Sequence, residues 1–226
     1  MGAKQARIRN RLLIILGLSS AASVALFVGR VFATHEWTYW FLVWNLFLAW
    51  IPLGLAWWLL ARLKTTPWLS AVSIILTLLW LGFLPNAFYI ASDMVHLARD
   101  AGTVSVLYDV VMFISFTFNG FILGYLSLYA VHGRLKKRFG ASGAAGLVSA
   151  VLLLCSFAIY MGRYLRWNSW DVLFNPAGLI FDVSEPFVNP AGHPQVFTTT
   201  LMFFVLLGSI YAVGYQLVSL AREAHD

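Results

Sequence analysis

Asp93 and His96 stand three residues apart in "FLPNAFYIASDMVHLARD" (83–100), where a long apolar run turns ionisable. On a helix that spacing puts a carboxylate and an imidazole on one face, a pairing suited to general acid–base work. Asp109 opens the next apolar run, and the three are the candidate catalytic residues. Imidazole with carboxylate also suits Zn²⁺ or Mn²⁺, so a divalent metal is a candidate cofactor, with His193 as a further ligand. Arg163 and Arg166, again three apart in "GRYLRWNSWD" (162–171), offer guanidinium forks for bidentate phosphate recognition. With Asn45, Asn86 and Asp171 they form the candidate substrate-binding set. No serine or cysteine is read as a nucleophile at these positions, so the expected chemistry is acid–base or metal-assisted. A structural alternative stands beside it: Arg163 or Arg166 paired with Asp93 or Asp109 would clasp helix ends together.

These residues sit in an apolar chain. Of 226 residues, 61% are hydrophobic and 11% charged, with a mean hydropathy of +0.80; a soluble domain carries about 25% charged residues. The net charge of +6 falls in short clusters between apolar runs rather than on one face, which argues against nucleic acid as a partner. The lone Cys155 lies inside an apolar run, so no intrachain disulfide forms.

Runs near the ~20 residues needed to span a bilayer occur at about 12–32, 38–60, 68–90, 108–131, 145–165 and 196–220. The expected fold is an all-α, polytopic six-transmembrane-helix bundle in a single domain covering residues 1–226. The first run follows a basic segment but is long for a cleaved signal, and Arg30 interrupts the approach to "VFA", so it is expected to stay as an anchor. With the N-terminus cytoplasmic, eleven lysines and arginines lie inside and only Arg30, Arg99, Arg163 and Arg166 outside. Every lysine is on the inner side, so both termini are expected in the cytoplasm.

A long extracytoplasmic loop, about 167–195, is expected between helices 5 and 6 as a cap, with "NPAG" at 175–178 and 189–192 as two turns. Pro85-Asn86 is expected to break the third helix and turn the chain toward Asp109, Arg163 and Arg166. Counted along the helices, the polar candidates then gather near the outer surface, where ionisable residues at membrane depth are candidates for function. Asn119 is the deep exception and is expected to hydrogen-bond across a helix contact.

Some patterns lead elsewhere. "GASG" (140–143) has the GxSG form of rhomboid proteases but falls at the wrong end and lacks a histidine in the last helix, so it reads as a small-residue turn. "HE" at 35–36 has no second histidine four residues on, which excludes HExxH. Gly17, Ala21, Ala25 and Gly29, and the Gly120/Gly124 pair, have the spacing for close helix–helix association within or between chains. Three function classes follow. A membrane enzyme would act on an anionic or lipid-linked ligand; the alternatives are a partner-binding assembly protein and a small-molecule transporter. A transporter is weakened by the lack of an inverted repeat.

"FLPNAFYIASDMVHL" (83–97), "GRYLRWNSWD" (162–171) and "WNLFLAWIP" (44–52) resemble a bacterial membrane-protein family, domain-of-unknown-function family 1361. The resemblance covers nearly the whole chain. Its pattern favours a second proline after Pro-Asn-Ala, where this sequence has Phe88. It implies a multi-pass protein of the bacterial plasma (inner) membrane and assigns no activity or cofactor to any position.

Overall fold

The computed structural model describes residues 3–98, 105–167 and 174–224. Among them the chain is all-helical, without a strand. It comprises α1 (Ala3–Thr34), α2 (Trp40–Arg62), α3 (Ala71–Tyr89) with a 3-10 extension (Ile90–Ala98), and α4 (Val106–Tyr160) ending in a π turn (Met161–Leu165). α5 (Pro176–Val188), a 3-10 turn (Pro190–Gly192) and α6 (Pro194–Glu223) follow. Five stretches, comprising α1, α2, α3 with its extension, α4 with its π turn, and α6, are long and apolar enough to cross a membrane. Their outward faces carry Ile14, Ile15 and Leu18 on α1 and Leu201, Met202 and Val205 on α6. Such continuous exposed apolar surface belongs in lipid, as in a multi-pass membrane protein.

One of the five is a hairpin. Gly124 packs on Phe88 and Gly162 on the adjacent Tyr89; a Cβ added to either glycine would lie 2.8 Å from the facing ring. In a straight helix those glycines would be about 57 Å apart, so the chain doubles back between them. It reverses at Gly140, with φ 75° and ψ 179°, a region open essentially only to glycine. "GASG" is therefore a turn; the arm 106–139 contains the expected helix 108–131, and the arm 141–160 with the π turn to Leu165 contains the expected helix 145–165.

Small residues and a few buried hydrogen bonds dock the helices. Gly120 and Gly124 lie against Ala87 and Phe88 of α3, so this pair serves contact within the chain. A Cβ on Gly120 would overlap the Ala87 carbonyl oxygen, which cannot rotate away as a side chain would. Gly120→Ala is therefore expected to cost about 1–3 kcal/mol of stability. Gly133→Ala on the same arm points into open space and is expected to be neutral or to stabilise by up to ~1 kcal/mol through helix propensity. Melting temperatures in micelles check both; equal effects would remove the steric argument.

α1 docks through Leu16, Ser23, Phe27 and Arg30, all buried and in helical spacing. Ala21, Ala25 and Gly29 of the small-residue stripe are exposed instead. The Asn119 side-chain amide donates to Ser23 Oγ at 2.9 Å, and Ser23 shares a 2.6 Å hydrogen bond with Ser115, so Asn119 does bridge two helices. Ser127 joins α2 and α3 by accepting from Trp80 Nε1 at 2.7 Å and donating to the Pro52 carbonyl at 3.0 Å. α6 meets the first arm of α4 through Tyr125, whose hydroxyl donates to the Leu207 carbonyl, and through a 2.7 Å contact between His132 Nδ1 and the Tyr211 hydroxyl.

Two local expectations fail. Pro85 does not end α3, which continues to Tyr89 before tightening into the 3-10 extension. The Asn86 amide donates to the Phe83 carbonyl at 3.1 Å, reinforcing the turn beside the proline. The stretch expected as one long loop contains α5. Its first "NPAG" starts that helix, because Asn175 Oδ1 accepts from the Gly178 N–H at 3.2 Å and Pro176 occupies the first turn. An asparagine cap followed by proline is a strong helix start. The second "NPAG" does form a turn, the 3-10 segment Pro190–Gly192.

Candidate functional site

The 3-10 extension of α3 exposes one edge to the end of the second α4 arm. It carries Ser92, Asp93 and His96, while the π turn that ends the arm carries Arg163. Single π turns recur at functional sites because they re-aim a side chain, and this one turns Arg163 inward. The guanidinium Nη2 donates to Asp93 Oδ1 and, at 2.7 Å, to Ser92 Oγ. Nε also reaches Ser92 Oγ at 3.2 Å. Nη1 lies 3.2 Å from His96 Nε2; a guanidinium only donates, so the imidazole nitrogen is the acceptor of that contact. Asn45 Nδ2 donates to Asp93 Oδ2 at 2.8 Å. The Asp93 side chain is 3% exposed and that of Arg163 is 19% exposed, so the carboxylate is sealed while the arginine borders open space.

That space is a cavity of about 580 Å³ between α2, α3 and the second arm of α4. Asn45, Asn86, Asp93, His96 and Arg163 line its polar end; Leu48, Leu81, Val151, Leu154 and Cys155 line the remainder. Its wall on the second arm runs from Val151 to Arg163, about 18 Å of helix. Trp44 and Leu154 stand on the wall yet are 43% and 58% exposed, so the cavity is a groove with a side opening. Leu179 and Val183 of α5 cover part of it. Trp167, also on the wall, donates its indole N–H to Asp182 of α5 at 2.7 Å, tying that cover to the bundle.

The structure thus unites Asn45, Asn86, Asp93, His96 and Arg163 and separates the other candidates. Asp109 accepts from Arg30 Nε at 2.8 Å in a second buried ion pair, with the Arg30 guanidinium also 4.2 Å from the Tyr39 ring centre. Arg166 is exposed and takes a left-handed conformation with φ 60°. The helix ends there through the π turn, so the expected shared face with Arg163 does not form. Asp171 lies outside the described residues. His193 lies 3.2 Å from Glu185. Among the described residues no three His, Cys, Asp or Glu side chains gather as metal ligands; with Asp109 held by Arg30, the expected ligand set is not assembled.

Sequence reasoning missed Arg30, Ser92 and Tyr89. Arg30 was legible in part, since an arginine late in one apolar run and an aspartate opening another at the same depth are natural partners. Ser92 and Tyr89, whose ring lies 4.9 Å from the Arg163 guanidinium, gave no comparable signal.

Residues 44–210 match a family model described as "Protein of unknown function (DUF1361)". No curated protein and no solved structure matches the chain. The family match spans all five polar residues of the groove and most of its apolar wall, and the chain belongs to that family.

Proposed function

We propose that this is a six-span protein of a bacterial inner membrane, with both termini cytoplasmic, whose groove holds a lipid-type amphiphile from the outer leaflet. The eleven-to-four division of lysine and arginine supports the orientation, and the reversal at Gly140 supports counting the Val106–Leu165 span as two crossings. The observation that carries the binding reading is the groove's polarity. One end presents fixed hydrogen-bonding groups, and the rest is an apolar channel open to the side. A detached polar solute would leave the apolar wall uncovered, whereas an amphiphile covers both. Asp93 and His96 then stand beside the headgroup, where acid–base chemistry on a lipid-linked substrate would take place.

Ala158 lines the apolar wall and is half-buried. Ala158→Phe is expected to fill the channel and to reduce co-purifying lipid in native mass spectra by roughly tenfold, ~1.4 kcal/mol of binding, with the melting temperature retained. Unchanged lipid occupancy in a folded variant would overturn the groove assignment.

A further inference from the structure

The charge balance at the polar end restricts the headgroup. Among the described residues, Asp93 and Arg163 are the only carboxylate and the only guanidinium on the groove wall, and they are bonded to each other. His96 turns its Nε2 toward the Arg163 guanidinium. Asp182, held by the wall residue Trp167, adds a second carboxylate close to the mouth. Among the described residues no uncompensated cation remains on the wall, because Arg166, the other arginine of "GRYLRWNSWD", is exposed and outside the groove. A phosphate approaching Arg163 would meet Asp93 at the same moment, and like charges there oppose binding.

The same groups suit hydroxyls. Arg163 Nη1 carries two N–H bonds, of which His96 takes one. Among the described residues each Asp93 oxygen accepts one hydrogen bond, and a carboxylate oxygen has capacity for a second. The Asn45 carbonyl is a further acceptor. Donors and acceptors are therefore interleaved over a few ångströms, as a polyol requires, since each hydroxyl both donates and accepts. Trp44, Trp167, Tyr89 and Phe41 line the same end. Because the Trp167 N–H is directed to Asp182, its ring offers the groove carbon surface, against which the C–H face of a sugar can lie.

We propose, resting on the groove reading above, that the ligand is an uncharged, hydroxylated headgroup on an apolar chain, a glycolipid in chemical class, and not a phosphate-bearing lipid. The interior groups recognise hydroxyls by paired donor and acceptor contacts, while the Val151–Arg163 wall takes the chain.

The test places the full chain in phosphatidylcholine nanodiscs containing equal small amounts of monoglucosyl-diacylglycerol, diacylglycerol and phosphatidylglycerol of identical chains. Lipid retained by the released protein is then counted by native mass spectrometry. Purification uses a detergent without a sugar headgroup. Enrichment of the glucosyl lipid by roughly tenfold over the other two, abolished in Asn45→Ala and in Trp167→Ala, is the expected result. Asn45→Ala leaves the Asp93–Arg163 pair intact, so it separates headgroup recognition from folding. Equal retention of diacylglycerol and its glucoside, sensitive to Ala158→Phe, would overturn the headgroup assignment and leave the groove standing. Preferential retention of phosphatidylglycerol or of the phosphatidylcholine host would also overturn it. Retention of none, unaffected by Ala158→Phe, would overturn both readings.

Discussion

Arg30→Met is expected to remove about 3–5 kcal/mol of stability while leaving lipid selectivity in the groove unchanged. The Arg30 side chain is 1% exposed and its partner Asp109 is 9% exposed, so the substitution strands a carboxylate where water scarcely reaches it. Methionine preserves much of the apolar stem and isolates the lost charge as the cause. The pair is itself under-compensated, since Arg30 Nη1 has no hydrogen-bond partner among the described residues. For that reason the double variant Arg30→Met/Asp109→Leu is expected to recover most of the loss, as buried pairs exchanged for apolar residues often do. Unfolding of the four proteins in micelles gives the coupling directly. Additive losses would mean that the two residues do not stabilise each other.

Arg163→Met is expected to cost less stability, about 3 kcal/mol, the lower end of the range for a broken buried pair, and to abolish lipid retention. The difference follows from exposure: Arg163 borders the groove at 19%, so water or ligand can reach Asp93 once the guanidinium is gone. Asp93 also keeps the Asn45 hydrogen bond, which holds part of the network in place. Adding Asp93→Asn should recover stability by removing the stranded charge but should not restore the ligand, because the interleaved donors and acceptors are no longer aligned. Stability and retention are measured on the same preparations. Full recovery of retention in the double variant would reduce the pair to a clasp.

Both experiments separate two ion pairs that look alike in the sequence. Arg30–Asp109 and Arg163–Asp93 each join helix ends, and only the second is among the clasp pairs expected from the sequence. They differ only in what lies beside them. The Arg30 guanidinium is packed over Tyr39, whereas Arg163 faces an open groove.

Much of the architecture was legible because the bilayer imposes it. A backbone in hydrocarbon must satisfy its own polar groups, so apolar runs of bilayer length read directly as helices. The positions of lysine and arginine supplied a proposed orientation. The same depth counting brought Asn45, Asn86, Asp93 and Arg163 to one level, because rise per residue converts sequence position into height. Height is only one coordinate. Which side of each helix faces its neighbour was left open, and there the tertiary structure decided. It sent Asp109 to Arg30 and turned Arg163 inward through a π turn that no spacing rule anticipates. It released Arg166 into a left-handed cap. It also carried α3 through Pro85, since one missing hydrogen bond does not end a helix that packed neighbours hold on its other faces. The amino-acid order alone determined that this chain is a bundle of membrane-length helices with polar residues gathered at one end. Only packing, through the approach of Gly120 and Gly124 to α3 and the reversal at Gly140, decided which of those residues meet and that a groove, polar at one end and apolar along the rest, opens between them.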